Sequence, residues 1–223
     1  MNKKLFLNAI IKYVSGVILV GILLFVPAGT FNYWNAWLFM GILFIPMFIA
    51  GIILMTKNPT LLKNRLDVKE KEKDQKQVII YSGLMFLFGF IIAGLNYRFS
   101  WIMIPNIIVI IASILFVISY LLYAEVLREN TFLSRTIKVQ KNQKIVDTGF
   151  YSIVRHPMYS ITLILFLTMP LILGSIISFV IFLMYPFIIA KRIINEEEVL
   201  EKELKEYTDY KKKVKYRLIP FVW

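Results

Sequence analysis

The sequence predicts an all-α polytopic membrane protein with about six transmembrane helices, and two observations support this. The chain has 223 residues, of which 58% are hydrophobic and 18% charged, whereas soluble domains are about 45–50% apolar and about 25% charged. Its apolar residues also group into long blocks, each close to the roughly 20 residues that a helix needs to cross the hydrocarbon core. A bundle of membrane-spanning helices is therefore the expected fold.

Four apolar blocks come first, and each predicts one spanning helix. They run from Ile10 to Ala28, from Trp34 to Met55, from Val78 to Leu95 and from Met103 to Ala124. The first block follows basic residues, but it lacks the short apolar run and small-residue cleavage site of a signal peptide. We therefore expect it to be retained as a transmembrane helix.

A fifth apolar block, from Met158 to Ala190, is too long for one span. The dipeptide Gly174-Ser175 lies near its middle, and such pairs are typical of turns. We therefore expect a tight hairpin of two helices at Pro157–Leu173 and Ile176–Ile194. The first arm is short and contains Pro170, so a kink or an incomplete crossing is expected there.

The charged residues predict the orientation. Of the 26 lysines and arginines, 25 lie in alternate loops, namely the N-terminal segment, residues 56–77, residues 125–156 and the segment from Lys191 onward. The positive-inside rule places such loops in the cytoplasm, which predicts six spans in the cell membrane with both termini cytoplasmic. The net charge of +12 then reflects membrane topology, and no nucleic-acid partner is expected.

Composition excludes several kinds of chemistry. The chain has no cysteine and a single histidine, His156. A disulfide framework, a thiol nucleophile and a zinc site built on cysteine are therefore excluded. A site with several histidine ligands is excluded as well, so we expect no metal.

Six residues with special chemistry or backbone properties crowd at the entry to the predicted hairpin. They are Gly149, Tyr151, Arg155, His156, Pro157 and Tyr159. Pro157 suits the first turn of a helix, where free N–H groups and the helix dipole favour a carboxylate. Arg155 adds a forked cation and His156 a group that titrates near neutral pH. The alternative is a capped helix with a snorkelling arginine and an interfacial aromatic belt.

The C-terminal segment contains a second polar cluster. Arg192 and Glu196 are four residues apart, so they share a helix face, and three consecutive acids begin at Glu196. Helical spacing of apolar residues predicts an amphipathic cytoplasmic helix that continues from the last span. Its apolar positions are Val199, Leu200, Leu204 and Tyr207. The alternative is a solvated charged helix beside anionic lipid, but carboxylates at that surface are better explained by a bound cation.

Three motifs together resemble the isoprenylcysteine carboxyl methyltransferase family, in its broad bacterial branch related to phospholipid N-methyltransferases. They are G-x-Y-x-x-x-R-H-P-x-Y from Gly149, R-x-x-x-E-E-x-x-L from Arg192, and Y-x-x-Y-x-x-x-V-x-Y-R-L-I-P from Tyr207. Phe150 replaces a proline that is frequent in bacterial relatives, and Leu204 replaces a glycine. The resemblance covers about residues 130–223.

The resemblance implies that the cofactor is S-adenosyl-L-methionine. The implied cofactor-binding residues are Gln143, Lys144, Ile145, Val146, Tyr151, His156, Pro157, Met158, Tyr159, Glu196 and Glu197. It also places Arg192 toward the substrate. We expect Arg192 or Arg155 to position a carboxylate acceptor, and His156 to serve as the base for an amine acceptor.

These inferences predict one integral-membrane domain over residues 1–223. Residues 1–124 would form a four-helix membrane scaffold, and residues 125–223 would form the cofactor-binding and catalytic region. The expected function is transfer of a methyl group to the carboxylate or amine of a prenyl-like or lipid-like molecule from the bilayer. Two alternatives remain open, namely a membrane reductase of the sterol-reductase type that uses NADPH, and a non-catalytic membrane protein.

Overall fold

The structure is a computed structural model that describes residues 3–67, 73–137, 139–140 and 143–223. Within these ranges the chain forms nine α-helices and one 3-10 turn, and no strand. The elements are α1 (Lys3–Ala28), α2 (Trp34–Lys57), α3 (Pro59–Leu66), α4 (Lys73–Phe99), α5 (Asn106–Glu129), the 3-10 turn (Gly149–Ser152), α6 (Pro157–Ile172), α7 (Ile176–Phe182), α8 (Tyr185–Glu203) and α9 (Tyr207–Lys213). The all-α prediction is confirmed; part of the predicted loop 56–77 lies outside the described residues.

Among the described residues, five helical segments are long and apolar enough to span a membrane. Four are α1, α2, α4 and α5, in the places where the sequence predicts them, and the fifth combines α7 and α8. Helix α6 has 16 residues, so it is about 24 Å long and shorter than the roughly 30 Å hydrocarbon core. In the most apolar 18-residue stretch of α1, and likewise in that of α2, only 11% of the residues are buried within the protein. Such outward apolar surface is typical of helices in lipid, and the protein is an integral membrane protein.

The predicted hairpin turn is present, but its second arm differs from the prediction. Gly174 has a φ of +75°, and the Ser175 side chain accepts a backbone N–H in the first turn of α7. The second arm is divided, because α7 ends at Phe182 and α8 begins at Tyr185. Pro186 lies in the first turn of α8 and has no N–H to donate to the carbonyl of Phe182, so a continuous helix would lose this bond.

The predicted amphipathic helix after the last span is also divided in two. Helix α8 ends at Glu203 and α9 begins at Tyr207. The turn between them buries a small apolar cluster. It comprises Leu204, Tyr207, Tyr210 and Val214, with Val139, Ile145 and Leu200 packed against it. Burial of the two tyrosines explains why the chain turns here instead of continuing as one helix.

The end of α6 is fixed by side chains from α4 and from the start of α2 with the residue before it. Tyr33 donates to the carbonyl of Leu173 (2.5 Å), Asn35 to that of Ile172 (2.8 Å) and Asn96 to that of Gly174 (3.4 Å). The last carbonyl groups of a helix have no partner within the helix, and hydrocarbon offers no water in their place. These three side chains therefore stabilise the turn of the hairpin.

Close packing of α1 and α4 depends on a glycine. A Cβ at Gly94 would lie 2.6 Å from the carbonyl oxygen of Leu24. We predict that Gly94→Ala lowers the free energy of unfolding by about 1–3 kcal/mol, the usual cost of overpacking. Gly83, in the same helix, has open space around it, so Gly83→Ala is the matched control. Thermal unfolding in one detergent measures both, and equal midpoints would contradict the prediction.

Candidate functional site

One end of the helix bundle contains an open cleft formed by four segments. These are the end of α5 with the loop that follows it, the 3-10 turn with the start of α6, the last turns of α8, and α9. Its empty space is about 850 Å³ including the open mouth. Its lining residues include Asn130, Phe132, Leu133, Ser134, Thr136, Ile137, Val199, Leu200, Tyr207 and Tyr210.

The cleft also brings together most of the residues that the sequence motifs single out. On its surface lie Gln143, Lys144, Ile145, Val146, Tyr151, Arg155, His156, Met158, Tyr159, Arg192 and Glu196. Two predicted residues are absent from this lining: Pro157 is buried at the start of α6, and Glu197 is buried in the interior. Motifs about 40 residues apart in sequence therefore meet in one place.

Glu197 is the centre of a buried ion network. Its Oε1 accepts hydrogen bonds from Nε of Arg155 (2.7 Å) and from Nε2 of His156 (3.2 Å). Its Oε2 accepts from Nε of Arg217 (2.9 Å), and the Tyr207 hydroxyl donates to Oε1 (3.3 Å). The side chain is only 3% exposed. Both oxygens are engaged by protein donors, so Glu197 joins the parts of the cleft to one another.

Arg155 fastens the tail segment 214–217 to the start of α6. Its Nη1 donates to the carbonyls of Val214 (2.7 Å) and Lys215 (2.8 Å). The backbone N–H groups of Arg155 and His156 donate to the carbonyls of residues 216 and 217, both at 2.9 Å. The Arg155 guanidinium thus binds both the tail segment and Glu197. The final sequence motif and the R-H-P motif therefore meet in the structure.

The Tyr159 hydroxyl joins two charged residues of α8. It accepts from Nε of Arg192 (2.8 Å) and donates to Oε2 of Glu196 (2.5 Å). Nη2 of Arg192 also donates to the carbonyl of Arg135 (2.7 Å). Arg192 and Glu196 share a face of α8, as their spacing predicts, and Tyr159 connects that face to α6.

His156 is held on two sides. Because a carboxylate accepts hydrogen bonds, the contact with Glu197 makes Nε2 the protonated nitrogen of the imidazole. The ring also stacks on Tyr159, with centroids 5.7 Å apart and planes 22° apart. This pairing leaves Nδ1 as the nitrogen available for proton exchange. In the described part of the chain, no three histidine, cysteine or acidic side chains converge as metal ligands.

Tyr151 places a buried hydroxyl on the cleft surface. The Asn130 side chain lies close to this oxygen, but no contact to a described residue has the geometry of a full hydrogen bond. Burial raises the pKa of the Tyr151 phenol above its ordinary value, so it stays a neutral donor at physiological pH. Buried polar groups are normally satisfied, and a ligand in the cleft would supply the missing partner.

The extended segment before the 3-10 turn is tied to α9 by an ion pair. Nζ of Lys213 lies 2.6 Å from Oδ2 of Asp147, and this contact keeps the pKa of the Asp147 carboxyl below its usual range. Ile145 packs on the apolar cluster of α9. The segment that contains the predicted residues 143–146 is therefore positioned by α9.

Sequence reasoning missed several residues of the site. Arg217 and Tyr207 bind Glu197, and the only signal for them is their place in the final motif. Val199 and Leu200 line the cleft because they follow Glu196 by three and four residues and so share its side of α8. The loop residues 130–137 show no spacing pattern that would have identified them.

Comparison with known families gives a match over the region that forms most of the cleft. A family model described as phospholipid methyltransferase matches residues 101–206, from just before α5 to the turn before α9. This family includes the isoprenylcysteine carboxyl methyltransferases. No curated protein matches the chain.

The Glu197 network predicts a large loss of stability on neutralisation. Glu197→Gln would leave the Arg155 guanidinium, itself buried, without its counter-charge, and breaking a buried ion pair costs about 3–5 kcal/mol. We expect a marked fall in the thermal unfolding midpoint. Glu125→Gln removes the same charge from an exposed pair with Arg128 and is the control, with no measurable change expected. Similar midpoints for the two variants would refute the role of the network.

Proposed function

We propose that the cleft binds S-adenosyl-L-methionine and serves methyl transfer to a lipophilic acceptor. The match of residues 101–206 to the phospholipid methyltransferase family model, a family of membrane methyltransferases, supports this. The acceptor would be the carboxylate or amine of a prenyl-like or lipid-like small molecule that enters from the bilayer. The observation that supports this most is the position of Glu196, the one carboxylate among the described residues that line the cleft, whose other charged lining residues are Lys144, Arg155 and Arg192.

The residues present fit this cofactor. Its ammonium and sulfonium groups need a nearby carboxylate when they leave water, and Glu196 supplies one. The first turn of α6 offers the positive end of a helix dipole to a carboxylate. The Tyr151 hydroxyl lies beside the Asn130 side chain but makes no hydrogen bond of good geometry to a described residue, so it offers a donor to a ligand.

When bound, S-adenosyl-L-methionine supplies a methyl group on a positively charged sulfur, which leaves as a neutral thioether. The protein's part in such a displacement is mainly alignment and exclusion of water. Tyr159 holds Glu196 and Arg192 in one arrangement through its hydroxyl. We assign Glu196 to the cofactor, Arg192 to the acceptor, and Glu197 and Arg155 to positioning of the cleft walls.

The acceptor decides whether a base takes part. A carboxylate needs no base, only a cation that orients it, and Arg192 is placed for this role. An amine must lose a proton, and we assign that task to Nδ1 of His156, since its Nε2 faces Glu197. A histidine supported by a carboxylate at its other nitrogen is a common arrangement for a base.

We also propose the domain organisation and topology that the sequence predicts. All residues that line the cleft fall between Asn130 and Tyr210, which supports 1–124 as scaffold and 125–223 as the cofactor-binding and catalytic region. The basic loops support a cleft and both termini in the cytoplasm. The protein would then take its cofactor from the cytosol and its acceptor from the cell membrane.

Calorimetric titration tests the cofactor directly. We expect the detergent-purified protein to bind S-adenosyl-L-methionine and its demethylated product saturably, and NADPH not at all. Glu196→Gln should weaken cofactor binding at least tenfold, because a contact to a charged group is lost. Glu198→Gln changes an exposed neighbour in the same acidic run and should bind as the unaltered protein does.

Three outcomes would contradict this proposal. Absence of binding by a folded protein would remove its basis, and equal affinities in the two glutamate variants would refute the role of Glu196. NADPH binding in place of S-adenosyl-L-methionine would favour the reductase alternative.

Tyr151→Phe separates ligand binding from folding. Since the hydroxyl has no protein partner of good geometry, its removal should leave the thermal unfolding midpoint unchanged or slightly higher. Cofactor affinity should fall several-fold, because a buried donor to the ligand is lost. Calorimetry and thermal unfolding of one preparation measure both quantities. Unchanged affinity would show that the hydroxyl does not contact the cofactor.

A further inference from the structure

The tail that follows α9 contains a small closed loop, residues 217–223, which we call the tail loop. The backbone oxygen of Trp223 accepts hydrogen bonds from the backbone N–H groups of residues 217, 218 and 219, at 2.9 to 3.1 Å. These bonds draw the two sides of the tail loop together. Residues 220–222 therefore form its tip.

The tail loop turns apolar side chains away from the protein. Phe221 is 87% exposed, Val222 75% and Ile219 42%. The ring of Phe221 contacts that of Tyr216, with centroids 5.3 Å apart. Phe221 has a φ of +65°, a conformation that is costly for a residue other than glycine, and the closed loop holds it there. Neighbouring apolar side chains held outward in this way mark an interaction surface.

The tail loop lies beside the first turn of α6. Oγ of Ser160 donates to the carbonyl of Leu218 (2.5 Å), and the backbone N–H of His156 donates to the carbonyl of Arg217 (2.9 Å). Helix α6 has 16 residues and is shorter than the hydrocarbon core, and its far end is bonded by neutral side chains, as hydrocarbon requires. Its first turn therefore lies close to the boundary between hydrocarbon and headgroups, and the tail loop lies at the same level.

The side of α6 that the tail loop covers continues into lipid. Ile164 follows Ser160 by one turn, so the two residues lie on the same side of the helix. Ile164 is 44% exposed, and an apolar side chain at this position in a membrane helix faces hydrocarbon. The tail loop covers this side of α6 at Ser160, and lipid covers it at Ile164. The exposed side chains of the tail loop therefore lie at the edge of the bilayer.

We propose that the tail loop inserts Ile219, Phe221 and Val222 into the bilayer interface and anchors the tail to the membrane. The partner is the lipid bilayer itself, and burial of apolar area at the headgroup boundary favours the contact. Lys215, exposed shortly before the tail loop, adds attraction to anionic headgroups.

This anchor would also connect the bilayer to the cleft. Arg217 belongs to the tail loop and donates to Oε2 of Glu197, the centre of the buried ion network. The inference does not depend on methyl transfer, because it concerns the position of the tail loop and not the ligand of the cleft.

Spin labels at single cysteines test the depth of the tail loop. The chain has no cysteine of its own, so Phe221→Cys and Val222→Cys each carry one nitroxide. Lys212→Cys on the exposed side of α9 is the reference for water, and Ile164→Cys is the reference for lipid. The full chain is placed in nanodiscs of phosphatidylcholine and phosphatidylglycerol. Collisions of each nitroxide with oxygen, which concentrates in hydrocarbon, and with a nickel chelate, which stays in water, are then measured.

The ratio of oxygen to nickel collisions at positions 221 and 222 should match that at position 164 and exceed that at position 212 several-fold. A ratio equal to that at position 212 would overturn the proposal. Low access to both reagents would show that protein covers the tip, such as a second copy of the chain, and would also overturn it. All four positions are exposed or partly exposed, so each variant should unfold at the same temperature as the unaltered protein.

Quenching by labelled lipid provides a second measurement. A fluorophore attached at position 221 should be quenched more strongly by a lipid nitroxide near the headgroup end of the acyl chain than by one near its methyl end, because the expected depth is interfacial. The fluorophore at position 212 should be quenched weakly by both lipids. Equal, weak quenching at the two positions would overturn the membrane contact, whether or not the cleft binds S-adenosyl-L-methionine.

Discussion

The candidate site depends on a single buried carboxylate. Transfer of a carboxylate out of water costs several kcal/mol, and a protein tolerates this only where cations and hydrogen-bond donors replace the water. Around Glu197 the donors come from the start of α6, from α9 and from the tail, through Arg155, His156, Tyr207 and Arg217. The start of α6 is far from Glu197 in sequence, with Arg155 separated from it by 42 residues, whereas α9 and the tail follow α8 in the chain. Because the carboxylate is stable only when all of them have assembled, the walls of the cleft form together.

The membrane explains why the two ends of α6 are built from different chemistry. At its end Tyr33, Asn35 and Asn96 satisfy the exposed carbonyls with neutral donors, as hydrocarbon surroundings require. At its start the network is ionic, because basic loops and the tail lie there and charges need not cross the bilayer. With 16 residues α6 is short for a span, and side chains of other elements hold it at both ends. Such fixed ends give Tyr159, in the first turn, a defined position between Arg192 and Glu196.

Much of the fold follows from the sequence because its causes are local. Block lengths predict four of the helices, and Gly174 with Ser175 predicts the hairpin turn. Many residues that line the cleft could also be predicted, because they belong to the sequence motifs. What escapes prediction depends on partners that are distant in the chain. The turn between α8 and α9 exists because Tyr207 and Tyr210 are buried, and the hydrogen bond from Arg65 to the carbonyl of Ser134 requires α3 to pack beside the loop after α5. Neither leaves a signal in the spacing of the sequence.

The two neighbouring acids of α8 show how the Glu197 network determines which side chains face the cleft. Successive residues of an α-helix are rotated by about 100°, so Glu196 and Glu197 cannot face the same way, although the sequence presents them as a pair. Glu197 is buried against Arg155, and this contact fixes the rotation of α8 about its axis. Once that rotation is set, Glu196 must face Tyr159 and the cleft, and Arg192, one turn earlier, shares its side. The buried carboxylate that fixes the rotation of α8 thereby determines which carboxylate a ligand can reach.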